Sequence, residues 1–158
     1  MPRIAISGHR GLNARTTDLI DRAIRERLSR YPAGVTGLSI LADGADQIFA
    51  RAVIDLGGTL EAFIPAEKYR SGLPAGAHAE YDNLLKCAVA VHLLPFVEST
   101  SESHMAASKF MVDEADELYA VWDGEPARAY GGTADVVAYA RDHDTPVDVI
   151  WPAGASRD

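Results

Sequence analysis

One cysteine in 158 residues, Cys87, leaves no partner for an internal disulfide, and no cysteine cluster exists to hold zinc. A reducing, cytoplasmic setting fits that usage. The opening MPRIAISGHR lacks the apolar core of a cleavable leader, and no stretch approaches the roughly 18 apolar residues of a membrane span. Nothing here directs the chain to a membrane. Positive charge is also short: 15 Lys and Arg stand against 23 Asp and Glu, a net charge of −8, which argues against broad attraction to nucleic acid or anionic lipid. Any anionic ligand must be held by local features. The Gly-x-Gly-x-x-Gly dinucleotide fingerprint and the lysine-bearing P-loop are both missing, so tightly bound NAD and an ATPase cycle are not expected, and no cofactor is assigned. The histidines at 9, 78, 92, 104 and 143 have no metal-ligand spacing, and no metal is expected.

What is present is globular. With 47% hydrophobic and 24% charged residues the composition excludes disorder, and the length fits one domain, taken as residues 1–153 with a frayed tail at 154–158. Short apolar runs alternate with segments of helical period, the pattern of a parallel α/β sheet. The expected strands are Arg3–Ser7, Leu38–Leu41, Leu60–Ile64, Val89–Leu94, Leu118–Trp122 and Val147–Trp151, apolar enough that both sheet faces should be covered. Helical stripes fall between them. One runs through Leu19, Ile20, Ala23, Ile24 and Leu28, and a second from Ala45 to Leu56 ends at Gly57-Gly58 in the manner of a C-terminal cap. Pro65 to Gly76 breaks the rhythm and reads as a long loop. Cys87 and His92 read as buried core residues.

In an open parallel sheet, ligands bind beyond the carboxyl ends of the strands. Those ends carry Ser7-Gly8-His9-Arg10-Gly11, Ala42-Asp43-Gly44-Ala45-Asp46 and Trp122-Asp123-Gly124, while Gly131-Gly132-Thr133 stands at a helix entrance. Glycine lets backbone N–H groups approach a ligand, and a helix N-terminus adds free N–H groups with about half a positive charge. An acidic protein can hold a phosphate in this way. Ser7, Gly8, His9, Arg10, Gly131, Gly132 and Thr133 are therefore candidate phosphate ligands. Asp43, Gly44, Asp46, Asp123 and Gly124 are candidates for a sugar or base.

These same motifs, Ile6-Ser7-Gly8-His9-Arg10, Ala42-Asp43-Gly44-Ala45-Asp46 and Trp122-Asp123-Gly124 with Gly131-Gly132-Thr133-Ala134-Asp135, resemble those of the SLOG superfamily, which includes the LOG proteins and DNA-processing protein A. The resemblance spans nearly the whole chain. It implies a three-layer Rossmann-like fold with a mostly parallel sheet of about six strands, a nucleotide or nucleoside phosphate as ligand, and a homodimer. LOG enzymes release a base from a nucleoside 5′-monophosphate using Pro-Gly-Gly-x-Gly-Thr-x-x-Glu, and here the glutamate position falls on Val136. Catalysis of that kind would need Asp123, Asp43 or Glu80 in its place, because oxocarbenium-like charge demands a nearby carboxylate. Three readings follow: a nucleotide-binding or sensor protein, an N-glycosidase, and an interaction module docking through Pro65 to Gly76.

Overall fold

The computed structural model describes residues 1–157. Among them, six strands form one sheet in the order β4-β3-β2-β1-β5-β6, and every pairing is parallel. The strands are β1 (Arg3–Gly8), β2 (Thr36–Ser39), β3 (Thr59–Ile64), β4 (Ala90–Leu93), β5 (Glu117–Val121) and β6 (Val147–Val149). The helices are α1 (Ala14–Leu28), α2 (Ala45–Asp55), α3 (Tyr69–Gly72), α4 (His78–Cys87), α5 (Ser101–Asp113) and α6 (Thr133–Asp142). This is the parallel α/β sheet expected from the alternation, in the Rossmann-like architecture that the resemblance implies.

Strand alternation sorts the core into layers. Ile4 and Ile6 of β1 meet Ile20 and Ile24 of α1 and Phe49 and Val53 of α2 on one face, whereas Ala5 joins Met105, Met111 and Val136 of α5 and α6 on the other. Leu60, Ala62 and Ile64 of β3 pack with Tyr81 and Leu84 of α4. The α2 stripe ends as expected, with Gly57 at φ +83° after the last turn.

Several expectations change. β2 begins two residues early and stops at Ser39, whose hydroxyl accepts the Leu41 N–H at 3.0 Å while Leu41 turns out of the strand at φ +60°. The 65–76 segment is not a free loop. It contains α3 and lays Tyr69 and Leu73 into the core beside α4. β4 does not have both faces covered: Val89, Val91 and Leu93 are 66, 52 and 60% exposed because α4 packs inward over β3 and leaves the edge strand bare. His92, on the opposite face of β4, is half-buried, stacks on Phe63 at 4.4 Å and bonds Glu61 at 2.9 Å. Residues 154–157 lie against α1. Ser156 exchanges hydrogen bonds with Thr16 of α1 through its N–H (3.0 Å) and its carbonyl (3.2 Å). The remaining tail residue, Asp158, lies outside the described residues.

Cys87 is exposed at the end of α4 rather than buried, because the helix stops there and turns its last residue to solvent. One equivalent of a disulfide thiol reagent is therefore expected to titrate without denaturant; a thiol unreactive until urea is added would contradict this placement. Among the described residues no helix is long and apolar enough to cross a membrane, and no cluster of metal-ligating side chains occurs.

Candidate functional site

Strand order reverses between β1 and β5, since the chain lays down β2, β3 and β4 on one side of β1 and then returns for β5 and β6. At such a switch point two loops diverge and leave a crevice. A cavity of about 210 Å³ opens there, walled by the loop after β1, by Ala42 and Asp46, by Tyr69, His104 and Ser108, and by Arg128, Gly131, Gly132, Thr133 and Arg157. The two glycine turns singled out in the sequence thus face one space.

Gly8 makes room for a helix. A Cβ there would lie 2.4 Å from the Ala45 Cβ and 2.7 Å from the Val121 Cβ, so its absence lets α2 approach β1. Gly44 acts likewise at φ +85°, where a side chain would strike the His9 carbonyl at 2.6 Å. His9 is buried, and its ring meets Trp151 edge-on at 5.5 Å. Its Nε2 accepts the Asp123 backbone N–H at 3.0 Å, which requires that nitrogen to be unprotonated. Burial and the nearby Arg157 lower its pKa, outweighing Asp123, so the 3.2 Å contact to the Asp123 carboxylate is a neutral histidine beside an acid.

The α6 entrance differs in detail from the sequence reading. The N–H of Gly131, at φ +86°, donates to the Asp135 carboxylate at 2.9 Å, and that of Gly132 donates to the Ala129 carbonyl at 3.1 Å. Both amides are occupied in shaping the turn. The first N–H groups without an intrahelical acceptor are those of Thr133 and Ala134, and Thr133 lines the cavity. At α2, by contrast, the Ala45 N–H donates to the His9 carbonyl at 3.3 Å and the Gln47 N–H to the Ala42 carbonyl at 3.2 Å. At α2 two of the first three N–H groups are thus occupied, whereas at α6 those of Thr133 and Ala134 have no intrahelical acceptor.

The acidic candidates separate. Asp43 binds Arg10 at 2.8 Å and accepts the Gly11 N–H at 3.1 Å, so it clamps the loop after β1. With Gly44 it borders a neighbouring groove that also contains Glu80, whose carboxylate holds Arg51 through contacts of 2.8 and 3.2 Å. Asp123 closes a turn by accepting the Glu125 N–H at 3.0 Å, with Gly124 at φ +85°. Although desolvation opposes it, that bond together with His9 and Arg157 holds the Asp123 carboxyl below its ordinary pKa. Neither Glu80 nor Asp123 is among the residues that wall the cavity. Val136, at the LOG glutamate position, is 1% exposed and packs under the sheet.

Asp46 is the exception. It is 4% exposed, lines the cavity, and its Oδ1 has no hydrogen-bond partner among the described residues. Burial pushes its pKa to about 8, against the Ala42 backbone hydrogen bond and the Arg10 charge and with help from Asp43. An orphaned buried polar atom costs about 1–3 kcal/mol, which makes this carboxyl a place where stability is given up.

The sequence reading missed Arg128, Arg157, Tyr69, His104 and Ser108. Arg128 stands three residues before the glycine pair, a position that signals an anion site once the turn is taken seriously. Arg157 had no such signal, because it reaches the cavity only through the docked tail. With Arg10, they place three guanidinium groups around one cavity of a net-negative protein.

No protein-family model and no curated protein matches the chain. Among solved structures it is similar to DNA processing protein A from Streptococcus pneumoniae, with a TM-score of 0.70 at 16% identity over 98% of this chain and 52% of that one. DNA processing protein A from Helicobacter pylori, for which a single-stranded DNA binding mode is described, gives 0.71 at 15% over 98% and 68%. The molybdenum cofactor binding protein from Rippkaea orientalis gives 0.62 at 14% over 94% and 75%. At these identities the likeness is one of fold, an α/β Rossmann-like one. The chain spans about half the length of the Streptococcus pneumoniae protein. Local charge, here three arginines, can differ in sign from the total.

Proposed function

We propose that this cavity binds a nucleotide or nucleoside phosphate, as a sensor or ligand-binding protein does. The observation that carries the reading is the meeting of the α6 N-terminus with Arg10, Arg128 and Arg157 at the strand switch point. Thr133 and the Ala134 N–H hold the phosphate. Gly8, His9, Gly131 and Gly132 shape the walls around it, and Asp43 keeps Arg10 in place. Binding is favoured over N-glycosidic cleavage because neither Asp123 nor Glu80 is among the residues that wall the cavity and Val136 offers no carboxylate.

Isothermal titration with inorganic phosphate and with nucleoside mono-, di- and cyclic phosphates is expected to give binding for phosphate-bearing compounds and none for the parent nucleosides. The double variant Arg10→Ala, Thr133→Val is expected to weaken it about 10–100-fold, the effect of losing one or two charge-assisted hydrogen bonds. Silence across the panel at millimolar ligand would reject the reading.

A further inference from the structure

We propose that Asp46 is the specificity-determining residue of this cavity: its unpartnered Oδ1 hydrogen-bonds a hydroxyl of the sugar that carries the phosphate, so the ligand is read as a sugar phosphate and any base remains outside. This rests on the reading that the anion sits at α6. The first support is size. A cavity of about 210 Å³ falls below the roughly 300 Å³ at which pockets for drug-sized ligands begin. That is room for a phosphate and the group attached to it.

The second support is position. β1 lies between β2, which leads into α2 and Asp46, and β5, which precedes the α6 entrance. An anion held at α6 therefore presents its substituent across β1 toward Asp46. At the α2 end two of the first three N–H groups, those of Ala45 and Gln47, are already bonded to the carbonyls of His9 and Ala42.

The third is chemistry. Oδ1 is a polar atom buried at the cavity wall with no partner among the described residues, and a ligand hydroxyl supplies one. Tyr69 of α3 and His104 of α5 share this wall, and both are neutral: burial raises the phenol well above its usual pKa, while burial and Arg10 lower the imidazole. The charged neighbours, Arg10 and Asp43, are bound to each other. Neutral hydrogen-bonding groups around an uncharged carboxyl suit hydroxyls. They would leave a second anionic group unpaired.

The test is calorimetric titration of the full chain with inorganic phosphate, ribose 5-phosphate and the four common nucleoside 5′-monophosphates. Ribose 5-phosphate is expected to bind at least 10-fold more tightly than inorganic phosphate, with the four nucleotides within about threefold of it and of one another. In Asp46→Leu that preference is expected to vanish, and in Asp46→Asn, which keeps hydrogen-bonding capacity and shape, it should be partly retained. A preference of more than 10-fold among bases overturns the proposal, as does an Asp46 variant with the sugar preference intact or with equal losses for both probes. Should Asp46→Leu not fold, the wild-type panel and Asp46→Asn decide. Phosphate binding without a sugar preference defeats this inference alone. No binding of any probe, inorganic phosphate included, defeats the anion site beneath it.

Discussion

Gly8→Ala is expected to destabilise the protein by about 3 kcal/mol, the upper part of the usual range for overpacking, and to abolish phosphate binding in whatever fraction still folds. The added methyl would sit 2.4 Å from the Ala45 Cβ and 2.7 Å from the Val121 Cβ, both short side chains fixed to backbone that cannot swing aside. Relief requires α2 to move away from β1. That shift breaks the Ala45 N–H bond to the His9 carbonyl, and with it the loop that carries His9 and Arg10. Gly11→Ala is the useful contrast, because a Cβ there meets nothing within 4 Å and costs only the strain of its φ of +60°. Urea denaturation of both variants checks the claim. Equal, small losses for the two would show that the helix start tolerates displacement and that Gly8 is not the spacer described here.

Asp46→Asn should stabilise the protein increasingly as pH rises. The native carboxyl keeps its proton up to about pH 8, whereas the unfolded one releases it near its ordinary value of 3.8. Between those limits the native state binds one more proton than the unfolded state. Stability is therefore fully present below pH 3.8 and lost progressively as pH rises toward 8, at about 1.4 kcal/mol per unit. Asparagine carries no such proton and still accepts the Ala42 N–H. Relative to wild type, the variant is expected to gain on the order of 3 kcal/mol between pH 5 and pH 7.5, measured by urea unfolding at both values. A difference independent of pH would mean that Asp46 ionises normally. A gain in stability joined to a weakened, partly retained sugar preference is the trade expected of a residue kept for binding.

Much of the fold was legible because burial leaves a period. Ala45, Phe49, Ala52 and Val53 recur at helical spacing, and Leu60, Ala62 and Ile64 alternate on β3, so the elements and their inward faces follow from pattern alone. β2 was misplaced because Thr36 and Gly37 pair with β1 through backbone, and backbone pairing carries no side-chain signature. β4 misled for the opposite reason: its apolar row looks buried in sequence but stands at an edge that no helix covers. At the site, the glycines were visible and their tasks were not. Gly8 and Gly44 stand where an added Cβ would strike Ala45 or the His9 carbonyl, which depends on where α2 lies.

The sequence alone determined the alternation of strands and helices, the parallel α/β class, and the edge on which glycines and charged residues gather. Those follow from local periods and turn chemistry, which neighbouring residues decide among themselves. Only the tertiary structure decided that Asp43 is spent on Arg10 while Asp46, three residues on, lines the cavity with a buried, orphaned carboxyl oxygen. It alone brought Arg157 from the chain's end and Tyr69 from a presumed loop to the same wall. Partners separated by dozens of residues are chosen by packing in three dimensions, and no local pattern records that choice.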